Sequence, residues 1–374
     1  MWLDGKINHK NSRGLKGKII ISILLGLFIL LPGSWFHDMI LLMIIAFIWR
    51  KEIKNKVNQW WKYGYVATWA VLGCLTFLLM PRPFALPTDR VQHIYFNPKG
   101  EKVNAPLSHW ILNLVMPEET MTAFGSFIPL TPLRNWLPIG ESILKDYDTE
   151  LLSGGLLNIG KAYRNNSLSL ESPMSGVIPQ TLNQHLGDKY RSAYIIKPQG
   201  YDNNKEYPVL LFAHGYLGNW KLYTGLLREI KDHIVVCIGT EDYSGIFTNK
   251  HIKEINSLYL PMLENMGYKI DKNSVSLMGL SNGGSAIDAA YAYSPNSFKN
   301  LIYVSTGVNH SEKTIAKVMI IGGGKDHCAG SMKTGMKRLI ANNVTSSFCF
   351  DENHTHFKLV SDMENCISFL NQEL

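Results

Sequence analysis

The residues with the clearest chemical potential lie in Gly279-Leu280-Ser281-Asn282-Gly283, a G-x-S-x-G pattern. Ahead of it, Val275-Ser276-Leu277-Met278 is apolar except for Ser276 and reads as a buried strand. Behind it, Ser285-Ala286-Ile287-Asp288-Ala289-Ala290 has small, helix-compatible side chains. Strand, sharp turn and helix together make a nucleophile elbow. A serine there exposes its hydroxyl only by taking a strained backbone conformation. Side chains two residues to either side would collide, so Gly279 and Gly283 have none. The turn also sets Ser281 at a helix N-terminus, where backbone amides face incoming negative charge.

A serine nucleophile needs a base and an orienting acid, expected in the order Ser, Asp, His. The strand predicted over Ala316-Lys317-Val318-Met319-Ile320-Ile321 runs into Gly322-Gly323-Gly324-Lys325-Asp326, which makes Asp326 the candidate acid. The last predicted strand, Ser346 to Phe350, is followed by Asp351-Glu352-Asn353-His354-Thr355-His356-Phe357. His356 is favoured as the base because Phe357 can pack beside its ring; His354 remains the alternative. An oxyanion needs two donors. The amide after the nucleophile, Asn282, is one. The other is expected in the loop His214-Gly215-Tyr216-Leu217-Gly218, from the Tyr216 amide. His214 is expected to bond the loop backbone and not to react. Trp220, slightly further on, is a candidate substrate contact.

His214-Gly215, Gly279-Leu280-Ser281-Asn282-Gly283-Gly284, Gly324-Lys325-Asp326 and His356 resemble the α/β-hydrolase superfamily. The elbow is similar to that of the polyhydroxybutyrate depolymerase and feruloyl esterase group, and of compact dienelactone-hydrolase-like and polyester-hydrolase-like esterases. The resemblance covers residues 175–374. It implies an α/β-hydrolase fold and a serine hydrolase cleaving a carboxylic ester, lipid-like or polyester-like, through an acyl-enzyme. The same residues would serve acyl transfer to another alcohol, or peptide cleavage. A catalytically idle binding module is the reading from a different class.

The elements needed to hold these residues are legible as alternating strands and helices. Ser192 to Pro198, Pro208 to Ala213, His233 to Gly239 and Asn300 to Ser305 are further predicted strands, and His251 to Met266 is a crossover helix. Such alternation implies a mostly parallel sheet covered on both faces. Only Gly307 to Thr314 separates two late strands, which leaves no room for a lid there.

Within the 374 residues, the part before the catalytic region is different in character. Ile19 to Leu31, Met39 to Trp49 and Tyr63 to Met80 are apolar runs. A bilayer core takes about 20 apolar residues in a helix. Three spans are expected, the first two joined as a hairpin at Pro32-Gly33. Lys6, Lys10, Arg13, Lys16 and Lys18 precede the first run, and Arg50, Lys51, Lys54, Lys56 and Lys62 lie between the second and third. The positive-inside rule then puts everything after Met80 outside the cytoplasm. These anchors account for much of the net charge of +7, so no nucleic-acid partner is implied. The expected organisation is a membrane domain over 1–80, an extracytoplasmic linker or cover over 81–174, and the catalytic domain over 175–374.

Cys237 and Cys349 fall on predicted buried strands, and Cys328 and Cys366 would pair only if folding brought them together. No H-E-x-x-H or paired-cysteine spacing marks a metal site, and no cofactor is expected. Nothing in the sequence sets the oligomeric state.

Overall fold

The structure is a computed structural model and describes residues 9–30, 41–50, 64, 67–73, 90–104, 191–215, 223, 226–240 and 245–374. Its centre is one sheet. The strands are β1 (Val91–Phe96), β2 (Lys102–Val103), β3 (Arg191–Ile196), β4 (Tyr207–Ala213), β5 (Ile234–Ile238), β6 (Ile270–Leu280), β7 (Asn300–Val304), β8 (Lys317–Gly323) and β9 (Ser346–Asp351). They lie in the order β2-β1-β3-β5-β4-β6-β7-β8-β9. Pairing is parallel from β5 through β9 and antiparallel where β3 meets β1 and β5 and where β1 meets β2.

The central strands are mostly apolar where they are buried, with Asn300 donating to Ser276 Oγ as a paired exception, because helices cover both faces, as a parallel sheet requires. Alternate residues feed two cores. Val209, Leu211, Ala213, Leu277, Val318 and Ile320 meet the helices Asn249–Glu254, Leu260–Asn265, Gly284–Tyr293 and Ala329–Ala341 on one face. Leu210, Phe212, Met278, Met319 and Ile321 meet the helices Lys358–Ser361 and Met363–Glu373 on the other. This mostly parallel mixed sheet with flanking helices fits an α/β-hydrolase fold.

Two details depart from the sequence reading. β1 and β2 come from the stretch assigned to a linker, and β1 pairs with β3 from Val91↔Ile196 to Phe96↔Arg191. The sheet therefore starts well before Ser175, and the boundary at 175 leaves out two of its strands. The expected crossover helix is also not uniform. Asn249–Glu254 passes through a π-helical turn, Ile255–Tyr259, before Leu260–Asn265. Pro261 has no N–H to donate and crowds the preceding turn, and the wider turn accommodates it. Residues 305–316, between β7 and β8, hold no helix or strand.

At the N-terminus, the helix His9–Leu30 takes in most of the first apolar run, and residues 41–50 and 67–73 are helical. Among the described residues no helix is long and apolar enough to cross a membrane. Lys10, Arg13, Lys16 and Lys18 occupy the first half of His9–Leu30, so its apolar part begins only at Ile19. Much of the third expected span lies outside the described residues.

Candidate active site

β6 ends at Leu280, and Ser281 is the next residue, with φ of 53° in the left-handed region. A non-glycine residue rarely takes that conformation, and here it lifts the hydroxyl off the end of the sheet. The turn is a single 3₁₀ turn, Ser281–Gly283, running straight into the helix Gly284–Tyr293. The turn is tight enough to explain both glycines. A Cβ on Gly279 would press into the carbonyl of Gly283, and a Cβ on Gly283 into the carbonyls of Ala213 and His214. Both obstacles are backbone and cannot rotate away. Gly283→Ala should therefore destabilise the fold by about 3–5 kcal/mol, read as a lower denaturant midpoint. A midpoint near wild type would mean the elbow is less constrained than this.

The parallel register brings the neighbouring strand ends to the same edge. Leu280 pairs with Val304, and Gly323 with Asp351. Asp326 follows β8 by one turn, and His356 follows β9 in the loop before Lys358–Ser361. His356 Nε2 lies 2.9 Å from Ser281 Oγ. Its Nδ1 lies 3.2 Å from each oxygen of Asp326. An ionised carboxylate only accepts, so Nδ1 carries the proton and Nε2 is left to accept from the serine hydroxyl. That is the geometry that turns a hydroxyl into a nucleophile. His356 and Asp326 are 7% and 5% exposed, so the polar contacts act in a poorly solvated setting.

The structure places His354 elsewhere. Its Nδ1 is 3.3 Å from Ser361 Oγ, and its Nε2 faces the carboxylates of Asp362 and Asp351 at 3.7 and 3.9 Å. The His356 ring is held edge-on by Phe357 at 5.7 Å, as the sequence pairing suggested.

One neighbour of the site escaped the sequence reading. His327 Nδ1 lies 3.1 Å from Asp326 Oδ1, and its ring lies 4.6 Å from that of His356. Its position directly after Asp326 was the available signal. Burial disfavours the charged form of Asp326. The hydrogen bond and charge of His356, the Cys328 amide at 2.8 Å and the charge of His327 outweigh it and hold the carboxyl below its ordinary value. A carboxyl whose pKa is depressed by folding stabilises the fold above its unfolded pKa, and this is lost as pH falls through the folded value. Asp326→Asn should thus flatten the loss of thermal stability on acidification below about pH 4. Parallel melting curves for variant and wild type across that range would contradict it.

Asp326, His327 and Cys328 each present one metal-ligating atom, all within 4.8 Å of one another. An ion held there would compete with His356 for the Asp326 carboxylate.

His214, at the end of β4, is fully buried. The Thr240 amide donates to its Nε2 at 3.4 Å, which leaves the proton on Nδ1 to bond the Gly215 carbonyl at 2.6 Å. The ring is thus a neutral brace for the loop opposite the elbow. A Cβ on Gly215 would come within 3.1 Å of the Ser281 Cβ, so that backbone lies directly against the serine. Asn282 sits in the 3₁₀ turn after Ser281. Tyr216 and Trp220 lie outside the described residues.

No family model matches the chain, and no curated protein does. Among solved structures it is similar to a thermostable esterase, at 16% identity and a TM-score of 0.39, over 49% of this chain and 59% of that one. It is similar to an acylaminoacyl peptidase from Pyrococcus horikoshii, at 12% identity and a TM-score of 0.38, over 49% of this chain and 38% of the peptidase. A feruloyl esterase module from Clostridium thermocellum complexed with sinapinate matches at 14% identity and a TM-score of 0.41, over 50% of this chain and 85% of the module. The chain thus spans less than two thirds of the first two, 59% of the esterase and 38% of the peptidase. Likeness this remote leaves activity to be argued from the side chains themselves.

Proposed function

We propose that this chain is a serine hydrolase that cleaves a carboxylic ester through an acyl-enzyme. The observation that carries the reading is the 2.9 Å contact of His356 Nε2 with a Ser281 hydroxyl raised on a left-handed residue at a strand–helix junction. Ser281 Oγ attacks the acyl carbon as His356 takes its proton. The carbonyl oxygen becomes an oxyanion, held by the Asn282 amide and by the Tyr216 amide from the loop after His214. His356 then protonates the leaving alcohol, and Asp326 keeps the imidazole in its Nδ1–H tautomer and stabilises it when charged. Water, activated by the same imidazole, releases the acid. Losing one oxyanion donor typically costs about 3–4 kcal/mol of transition-state stabilisation. A series of p-nitrophenyl esters of increasing acyl length, run beside phospholipids, tests the ester assignment. Acyl-enzyme formation with none of them would refute it.

We further propose that the N-terminal helices anchor the chain in a membrane, with the catalytic region outside the cytoplasm. Ile19, Ile20, Ile21, Ile23 and Leu24 are all exposed, and so are Ile44 and Phe47. Contiguous apolar surface of this kind calls for cover. Trp49 Nε1 donates to Ser22 Oγ at 2.8 Å, which pairs the lone polar residue of the first run and ties the second helix to the first. Protease added to intact spheroplasts should digest the region after Met80. Digestion only after lysis would reverse the orientation.

A further inference from the structure

We propose that Asp326, His327 and Cys328 form a zinc-binding site, through which the ion withdraws the acid from His356 and holds the enzyme inactive. The site stands on geometry alone, while its effect on turnover rests on the hydrolase reading. A carboxylate oxygen, an imidazole nitrogen and a thiol sulfur lie within 4.8 Å of one another. His327 Nδ1 is 3.1 Å from Asp326 Oδ1. An ion pair alone would account for the histidine. The Cys328 sulfur arriving at the same place turns the pair into a ligand set.

The backbone explains how three consecutive residues converge. The Asp326 amide donates to the Gly323 carbonyl at 3.2 Å, and the Ala329 amide to the Asp326 carbonyl at 2.9 Å. The chain is thus curled into a turn as it enters the helix Ala329–Ala341. The Cys328 amide, 2.8 Å from Asp326 Oδ1, pins the carboxylate over that turn. The Asp326 side chain is fully buried, the His327 side chain is 28% exposed and Cys328 is partly exposed. An ion therefore enters from the side of His327 and Cys328.

The donors select the metal. Magnesium and calcium take oxygen ligands, and two of these three atoms are nitrogen and sulfur. Zinc binds thiolate, imidazole and carboxylate at about 2.0–2.3 Å in tetrahedral geometry, which sets its ligand atoms roughly 3.3–3.8 Å apart. The 3.1 Å pair and the 4.8 Å limit bracket that spacing, so small side-chain movements close the set. Cys328 binds as thiolate after giving its proton to solvent, and His327 binds through Nδ1 with its proton carried on Nε2. Thiolate and carboxylate together balance the charge of the ion, and water completes the tetrahedron.

The same carboxylate faces His356 Nδ1, at 3.2 Å from each oxygen. Zinc on Oδ1 takes one of these contacts and draws off the negative charge that stabilises the imidazolium. The base is left poorly oriented beside an intact serine.

The test titrates the full chain in detergent with zinc chloride, with a phosphine as reductant. Alkylation of Cys328 by iodoacetamide, read by mass, should slow by about tenfold or more, because a zinc-bound thiolate is a poor nucleophile. Turnover of a p-nitrophenyl ester should fall over the same zinc range by about a hundredfold, short of the ~10⁴ that loss of the acid's role costs a triad. A chelator should restore it. Cys328→Ser, compared with its own metal-free rate, should need about a hundredfold more zinc for half of its loss. The alkylation needs no variant to fold and no ester to be cleaved. Cys328 alkylated equally fast with and without zinc, or an unchanged half-loss concentration in Cys328→Ser, would overturn the proposal. Protection of Cys328 in a chain that cleaves no ester would support the metal site and refute the hydrolase reading instead.

Discussion

Replacing Ser281 by Ala should abolish labelling by a fluorophosphonate probe and lower ester turnover by about four to six decades, with the fold intact. The size of the effect follows from the way the parts depend on one another. His356 has no reacting hydroxyl to deprotonate once Oγ is gone, and Asp326 then orients a base without a task. Only binding and the oxyanion donors remain, and these alone leave a residue of rate over water. The fold should survive because Ser281 is only partly buried and a methyl group needs no hydrogen-bond partner. Left-handed φ is costly for alanine too, so a small loss of stability is expected beside the large loss of rate. The same labelling separates an enzyme from an idle binding module. Probe attached elsewhere, or turnover within tenfold of wild type, would sink the assignment of Ser281.

The strands that lead to Ser281 and Asp326 were legible because each is a short apolar run that ends in an unusual residue. Val275 to Leu280 is buried throughout in β6 and stops at Ser281; Val318 to Gly323 is buried in β8 and runs to Asp326. A fully buried parallel strand can hardly be written in another way. β1 was not legible for the opposite reason. Val91-Gln92-His93-Ile94-Tyr95-Phe96 mixes polar and apolar residues, and it follows Pro81, Pro83 and Pro87, which read as a linker. Its place in the sheet is set by pairing with β3 across a long stretch of chain, and such pairing leaves no local mark. His327 shows a finer limit. Its neighbour was identified, yet whether it turns toward Asp326 or toward solvent depends on the first turn of Ala329–Ala341.

The choice between two histidines rests on the same limit and yields the second large prediction. His354 and His356 are two residues apart, and a strand continued past Phe350 would put both on one face. The strand does not continue. β9 ends at Asp351, whose carboxylate takes the Asn353 amide at 2.8 Å and turns the chain. After that turn Thr355 and His356 are buried, while His354 sits against Ser361 and Asp362. The backbone at His354 is also spoken for. Its carbonyl accepts from the Lys325 amide at 2.9 Å, which fastens this loop to the loop of Asp326. His354 thus helps to hold the loops of Asp326 and His356 in register through its backbone, which a side-chain substitution leaves in place. His356→Ala should therefore cost about as many decades of turnover as Ser281→Ala, since the two act as a unit. His354→Ala should keep most of the activity, with a small change in stability from its lost contact with Ser361. The pair of variants is measured on one p-nitrophenyl ester, with circular dichroism to confirm that each is folded. The reverse ranking, full activity in His356→Ala and collapse in His354→Ala, would move the base to His354 and require the loop to rearrange around Asp351 before catalysis.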